Sequence, residues 1–75
     1  MRLENKIAII TGAASGFGEG MARRFAAEGA KVVVADLNEA SGNTIAEEIG
    51  GIFVKTDVSR DSEMANLVQT TVQTF

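Results

Sequence analysis

The chain has no cysteine and no histidine. The first absence removes any disulfide framework and any thiol nucleophile, and together they remove the usual zinc ligands and imidazole catalysis. A metal centre is therefore not expected, and the lack of cysteine suits a reducing compartment. Apolar runs are short, far below the ~20 residues needed to cross a bilayer. The opening Met1-Arg2-Leu3-Glu4-Asn5-Lys6 puts charges where a signal peptide would carry its apolar core. A cytoplasmic protein that does not engage membranes is expected. Nor is there a basic stripe: ten acids and seven bases are scattered along the chain for a net charge of −3, which argues against a nucleic-acid partner.

What is present is the composition of a soluble globular protein, 45% hydrophobic and 23% charged, in 75 residues. That length suits one small domain or part of one, and residues 1–75 are read as the N-terminal part of a single domain with no second domain. Lys6 to Ile10 is a short continuous apolar run rich in β-branched residues, the pattern of a strand buried on both faces. Phe17, Met21, Ala22, Phe25 and Ala26 then recur at helical spacing in a helix that starts near Gly18, and Gly29 closes it. Gly20, inside that helix, is expected to let helix and strand pack closely. Lys31 to Ala35 is a second strand, and a helix from Glu39 through Ile49 follows, its stripe formed by Ala40, Ile45, Ala46 and Ile49. Gly42 interrupts this helix and the Gly50-Gly51 pair ends it. Ile52 to Lys55 is a third strand, and Ser59 is a candidate N-cap for a last helix with Met64, Leu67, Val68, Thr71, Val72 and Phe75 on one face. Met21, Phe25, Leu67 and Phe75 are expected in the core.

Three strands alternating with three helices through short connections give an α/β, Rossmann-type parallel sheet of strand order 3-2-1. The first two helices share one face, the last covers the other, and strand one is an open edge. In a larger doubly wound sheet a fourth strand would pair there, and the chain is expected to be a segment of such a protein.

Chemistry concentrates at the ends of the strands. Thr11-Gly12-Ala13-Ala14-Ser15-Gly16-Phe17-Gly18 lies between strand and helix. Its glycines let the backbone turn sharply and approach a ligand, while the helix behind it offers unpaired N–H groups and a positive dipole end, which favour an anion such as a pyrophosphate. A mere flexible turn is the bland alternative. Asp36, at the end of strand two, stands where a Rossmann unit places its ribose-binding acid. Asp36-Leu37-Asn38 also reads as a helix N-terminus capped at Asn38, and the two readings are compatible. Ser15 reads equally as a turn residue that satisfies local backbone, and Asp57 as an Asx turn.

Thr11-Gly12-x-x-x-Gly16-x-Gly18, Asp36 and Asp57-Val58 together resemble the N-terminal third of a short-chain dehydrogenase/reductase, and the resemblance spans the whole chain. It implies that Gly12, Gly16 and Gly18 form the pyrophosphate turn, that Ser15 and the Phe17 backbone contact the cofactor, and that Thr11 braces the loop. Asp36 would bind the adenosine ribose, with Leu37 also among the cofactor-binding positions, while Asp57 by its carboxylate and Val58 by its backbone would hold adenine. The implied cofactor is NAD rather than NADP, because a carboxylate accepts from both ribose hydroxyls yet repels a 2′-phosphate, and no base follows Asp36 directly.

The family's catalysis uses a tyrosine tuned by a lysine four residues on, with a serine and an asparagine. This chain has no tyrosine, so no catalytic residue is assigned within it, and the 75 residues alone are expected to be inactive. Lys6, Lys31 and Lys55 are read as solvated or snorkelling side chains. The function implied is that of the NAD(H)-binding segment of an oxidoreductase passing hydride between a nicotinamide and a small alcohol or carbonyl compound, in a homo-oligomer, tetramer or dimer. A non-catalytic dinucleotide-sensing module is an alternative. So is an S-adenosylmethionine-dependent methyltransferase, though that cofactor has no diphosphate for the turn to cradle.

Overall fold

Asn5, at φ 67°, occupies the left-handed conformation that asparagine tolerates better than most residues and leads the chain into its first strand. The computed structural model describes residues 4–13, 16–57 and 59–75. Strand β1 spans Ile7–Thr11, helix α1 Gly16–Ala27, β2 Lys31–Asp36, α2 Glu39–Ile49, β3 Ile52–Lys55 and α3 Asp61–Thr74. The strands form one parallel sheet in the order β1-β2-β3, which is the expected 3-2-1 order read from the other edge. Ile7 lies opposite Lys31 and Thr11 opposite Ala35, while Val33 lies opposite Ile52 and Asp36 opposite Lys55. The ladder runs one residue further, with the Gly12 N–H donating to the Ala35 carbonyl at 2.9 Å and the Thr56 N–H to the Asp36 carbonyl at 3.0 Å. All three strands therefore end side by side.

Successive side chains of a strand point to opposite faces, and β2 is covered on both. Val32 and Val34 join Ile10, Ala13, Ala22, Ile45 and Ala46 in one core cluster, flanked by Phe25, Ala26, Ile49 and Phe53. Val33 and Ala35 join Leu67 in the other, flanked by Ile52, Val54 and Met64. Helices α1 and α2 thus share one face and α3 takes the other, as the short connections require. Asn38 caps α2 as read from the sequence: its side-chain oxygen accepts from the Ser41 N–H at 3.1 Å. At the other end Gly50, at φ 72°, supplies the left-handed C-cap.

Burial departs from the sequence reading in several places, for identifiable reasons. Strand β1 is not buried on both faces: Ile10 is buried, but Ile7 and Ile9 are 48% and 37% exposed. They lie on the α3 side of an edge strand, and α3 packs through Leu67 onto β2 instead. Helix α1 begins at Gly16 and turns Gly18 and Ala22 inward, which carries Phe17, 84% exposed, and Met21 outward. Gly20 has open space where a Cβ would stand; the close approach belongs to Gly18. In α2, Ala40 is exposed, and Gly42 is buried against the Phe53 ring, which a Cβ would overlap. The glycine read as an interruption is a contact between α2 and β3.

Helix α3 buries Leu67 and Thr71, whereas Val68, Val72 and Phe75 are exposed. Phe75 is therefore not a core residue; the Lys31 Nζ stands 5.9 Å from its ring centroid, within cation–π range. Ser59 does not cap α3. The N-cap position is Arg60, which makes no side-chain capping bond, and the Ser59 hydroxyl donates to Asp57 instead.

Candidate functional site

Parallel strands that end together gather their outgoing loops at one edge, and here that edge carries Gly12, Asp36 and Asp57. Gly12 has φ 67°, a conformation costly for any residue with a Cβ. Behind it, a Cβ on Gly18 would stand 2.7 Å from the Gly12 carbonyl carbon and 2.9 Å from the Ala13 Cα, and closer still to the Gly12 oxygen. The first turn of α1 is thus pressed onto the backbone of the turn because residue 18 has no side chain. That brings N–H groups with no intrahelical acceptor next to Gly12. At Gly16 a Cβ would meet nothing within 4 Å, so this glycine faces open space. The positions Ser15 and Val58 lie outside the described residues.

A cleft of about 160 Å³ is lined by Gly12, Ala35, Asp36, Leu37, Thr56 and Asp57. It brings together residues from the ends of all three strands. A second hollow of about 280 Å³ lies on the other side of Gly12, lined by Ile9, Ile10, Thr11, Phe17, Gly18 and Met21, which is where the outward-turned Phe17 and Met21 are found. A third hollow, about 440 Å³, lies between α1 and α2, away from these strand ends, and its Arg23 is already bound to Glu19 at 2.8 Å and to Glu48. Those ions tie two helices together at an exposed site, where such pairs contribute little.

Two carboxylates border the strand-end cleft, and each is held by its own loop. Asp36 Oδ1 accepts the Asn38 N–H at 2.9 Å, so the cap of α2 also orients the acid before it. Asp57 Oδ1 accepts both the N–H of Ser59 at 3.0 Å and its hydroxyl at 2.6 Å, which is the Asx turn read from the sequence. These Ser59 bonds hold the Asp57 carboxyl below its ordinary range against the opposing cost of desolvation, with Arg60 adding a lesser lowering. Asp57 stays an anion, an acceptor for a donor in the cleft. Its backbone N–H donates to Glu63 Oε1 at 2.8 Å. Sequence reasoning missed Glu63, because its bond passes the N-cap Arg60 and reaches Asp57, six residues back, outside the spacing of a capping box.

The family described as short chain dehydrogenase matches residues 6–75. The chain belongs to the short-chain dehydrogenase family. Among its relatives, a mitochondrial borneol dehydrogenase of Lavandula x intermedia is 46% identical, the match covering 99% of this chain and 29% of that protein. A tropinone reductase-like 2 of Erythroxylum coca is 47% identical, covering 99% and 28%. Among solved structures, a 3-ketoacyl-(acyl-carrier-protein) reductase from Brucella melitensis complexed with NADH superposes with a TM-score of 0.92 at 44% identity, over 96% of this chain and 30% of that one. The chain thus spans under a third of the length of these short-chain dehydrogenases. Membership sets aside the methyltransferase alternative.

Proposed function

We propose that this chain binds NAD(H) along the carboxyl ends of β1, β2 and β3 and forms the cofactor-binding part of an oxidoreductase acting on a small alcohol or carbonyl compound. The observation that carries the reading is the convergence of Gly12, Asp36 and Asp57 on one cleft. The residues fit such a cofactor: the turn is bare of side chains at Gly12 and Gly16, and the cleft beside it ends in two carboxylates that can accept from a ribose and a base. The glycine turn and the start of α1 would receive the pyrophosphate, Asp36 the ribose hydroxyls, and Leu37 and Asp57 would border the adenine. When bound, the nicotinamide supplies the hydride or takes it up.

NAD is preferred over NADP in this reading. Among the described residues the cleft lining holds Asp36 and Asp57 and no lysine or arginine, so a 2′-phosphate beside Asp36 would meet negative charge. A 7α-hydroxysteroid dehydrogenase similar to this chain, with a TM-score of 0.90 at 36% identity, is also described as complexed with NADH, which supports a nicotinamide cofactor. A cytoplasmic location and a homo-oligomeric enzyme belong to the same proposal. Calorimetric titration with NAD and NADP tests it. Asp36→Ala should weaken NAD by about tenfold or more, the worth of hydrogen bonds to a charged group, and narrow the preference over NADP. An unchanged ratio refutes the role of Asp36.

A further inference from the structure

Among the described residues β1 pairs along one edge only, and nothing on its other edge discourages pairing. The Lys6 carbonyl accepts from Lys31 and the Gly12 N–H donates to Ala35. The even-numbered backbone groups thus face β2, and by the alternation of a strand those of Ile7, Ile9 and Thr11 face outward. These three residues bring no charge, proline or bulge of the kind that guards an edge. Apolar side chains stand around the same edge on both faces. In α1, Phe17 and Met21 each precede an inward residue, Gly18 and Ala22, and the helical step of about 100° carries them out over β1, where they line the 280 Å³ hollow with Ile9. In α3, Val68 and Val72 each follow an inward residue, Leu67 and Thr71. Their flank continues to Phe75, whose ring centroid is 5.9 Å from the Nζ of Lys31, the residue opposite Ile7. Both helices therefore lean an apolar flank toward β1, while β3, at the far edge, exposes no large hydrophobic side chain.

We propose that this edge pairs with the same edge of a second copy of the chain, antiparallel about a two-fold axis through Ile9. The axis sets Ile9 opposite its own counterpart and each Ile7 opposite a Thr11, so every outward N–H and C=O of the three residues finds a partner. On the α3 face the paired isoleucines lie between two walls of Val68 and Val72. On the other face, strands spaced about 4.8 Å apart place α1 and its counterpart roughly 10 Å apart, a separation at which helices pack, with Met21 and Phe17 between them. The exposed parts of these side chains amount to on the order of 500 Å² per copy, about the 1,000 Å² in total that a specific interface needs. That is a small interface, formed at micromolar concentration and lost on dilution. It gives a face to the homo-oligomer of the proposed function and does not rest on the cofactor.

Sedimentation velocity of the chain across the micromolar range reads the assembly, and it should show monomer passing to dimer with no larger species. Ile9→Lys sets two positive charges side by side at the axis and should weaken the dimer by about tenfold or more. Circular dichroism should not change, since Ile9 is partly exposed in the single copy. Ala40→Lys, at an exposed position of α2, should dimerise as wild type does. Ile9→Cys introduces the only thiol in the chain and should cross-link two copies under oxidised glutathione, because directly paired residues have Cα atoms about 5.5 Å apart. Ile7→Cys stands roughly 14 Å from its counterpart in this register and should not. A monomer at every concentration, an open-ended series of oligomers, or a dimer that Ile9→Lys leaves intact overturns the proposal, and so does cross-linking through Ile7→Cys. Should Ile9→Lys not fold, Ile9→Cys decides. Titration with NAD is a separate readout, so loss of the dimer leaves the cofactor reading standing, and the reverse holds too.

Discussion

Strands β1 and β2 are nearly interchangeable on paper, Ile7-Ala8-Ile9-Ile10 against Val32-Val33-Val34-Ala35, yet they have different fates. All four residues of β2 are buried, while in β1 only Ile10 is. Strand β2 lies between two partners and beneath helices on both faces; β1 is an edge, covered by α1 on one face and by no helix of the described residues on the other. An apolar run therefore reports what a strand can bury, and its place in the sheet decides what it does bury.

The sharpest way to break this contrast is through α3, the helix that makes β2 double-sided. Leu67 is fully buried against Val33 and Ala35, so Leu67→Ala should cost about 2–5 kcal/mol. Val72→Ala on the same helix, 71% exposed, should stay within about 0.5 kcal/mol of wild type. Denaturant unfolding reads both, and similar costs would mean that α3 does not dock through Leu67.

A direct comparison of the strands comes next. Val33→Ala should cost about 2 kcal/mol, two buried methyl groups plus the space they leave. Ile9→Ala deletes more carbon but should cost less, since Ile9 is 37% exposed and Val33 is not exposed at all. The reverse order would show β1 covered on its second face.

Smaller effects sharpen the picture in α1, which faces β1 and β2 through Gly18 and leaves Gly20 in the open. Gly20→Ala should stabilise the chain by about 1 kcal/mol, the helix-propensity gain with nothing to strike. Gly18→Ala should reverse the sign and deform the turn at Gly12, visible as weaker dinucleotide binding.

That asymmetry between Gly18 and Gly20 marks where the sequence stops being legible. Helical spacing shows which residues share a face and leaves open which face meets the sheet; with Phe17 and Met21 as the bulkiest candidates, the small residues Gly18 and Ala22 were not the obvious choice. Close approach to the turn selected them. Features set within a few residues were easier: the boundaries of α2, its Asn38 cap and its Gly50 stop all follow from local backbone needs. Ser59 misled because its hydroxyl donates to the Asp57 carboxylate instead of turning its oxygen to accept from a helix N–H, and a bond to a charged acceptor is the stronger. At the site, the positions of Gly12, Asp36 and Asp57 could be read from spacing, whereas the tie from Glu63 back to Asp57 depends on how α3 starts.

The smallest expected effect tests that hydroxyl. Asp57 has a lowered pKa in the fold, so it contributes stability that is complete above the unfolded value near 3.8 and is lost as pH falls through the lower folded value. Ser59→Ala removes the strongest cause of the lowering. The stability gap between wild type and this variant should accordingly shrink as the pH is taken below 3.8, and a gap that widens in acid would assign the Ser59 bond to some other partner.

The spatial order of the strands is also the order in which they are made. Strand β2 pairs with β1 and β3 with β2, so each strand leaving the ribosome meets an edge that already exists, with its helix made before it. At about 5–20 residues per second, the wait between one strand and the next is on the order of seconds, long beside the microseconds in which helices form. The sheet can then be laid down from its first edge inward, one strand–helix pair at a time. Among the described residues β1 pairs with β2 along one edge only, so its other edge keeps an open row of backbone donors and acceptors while β2 and β3 are laid down.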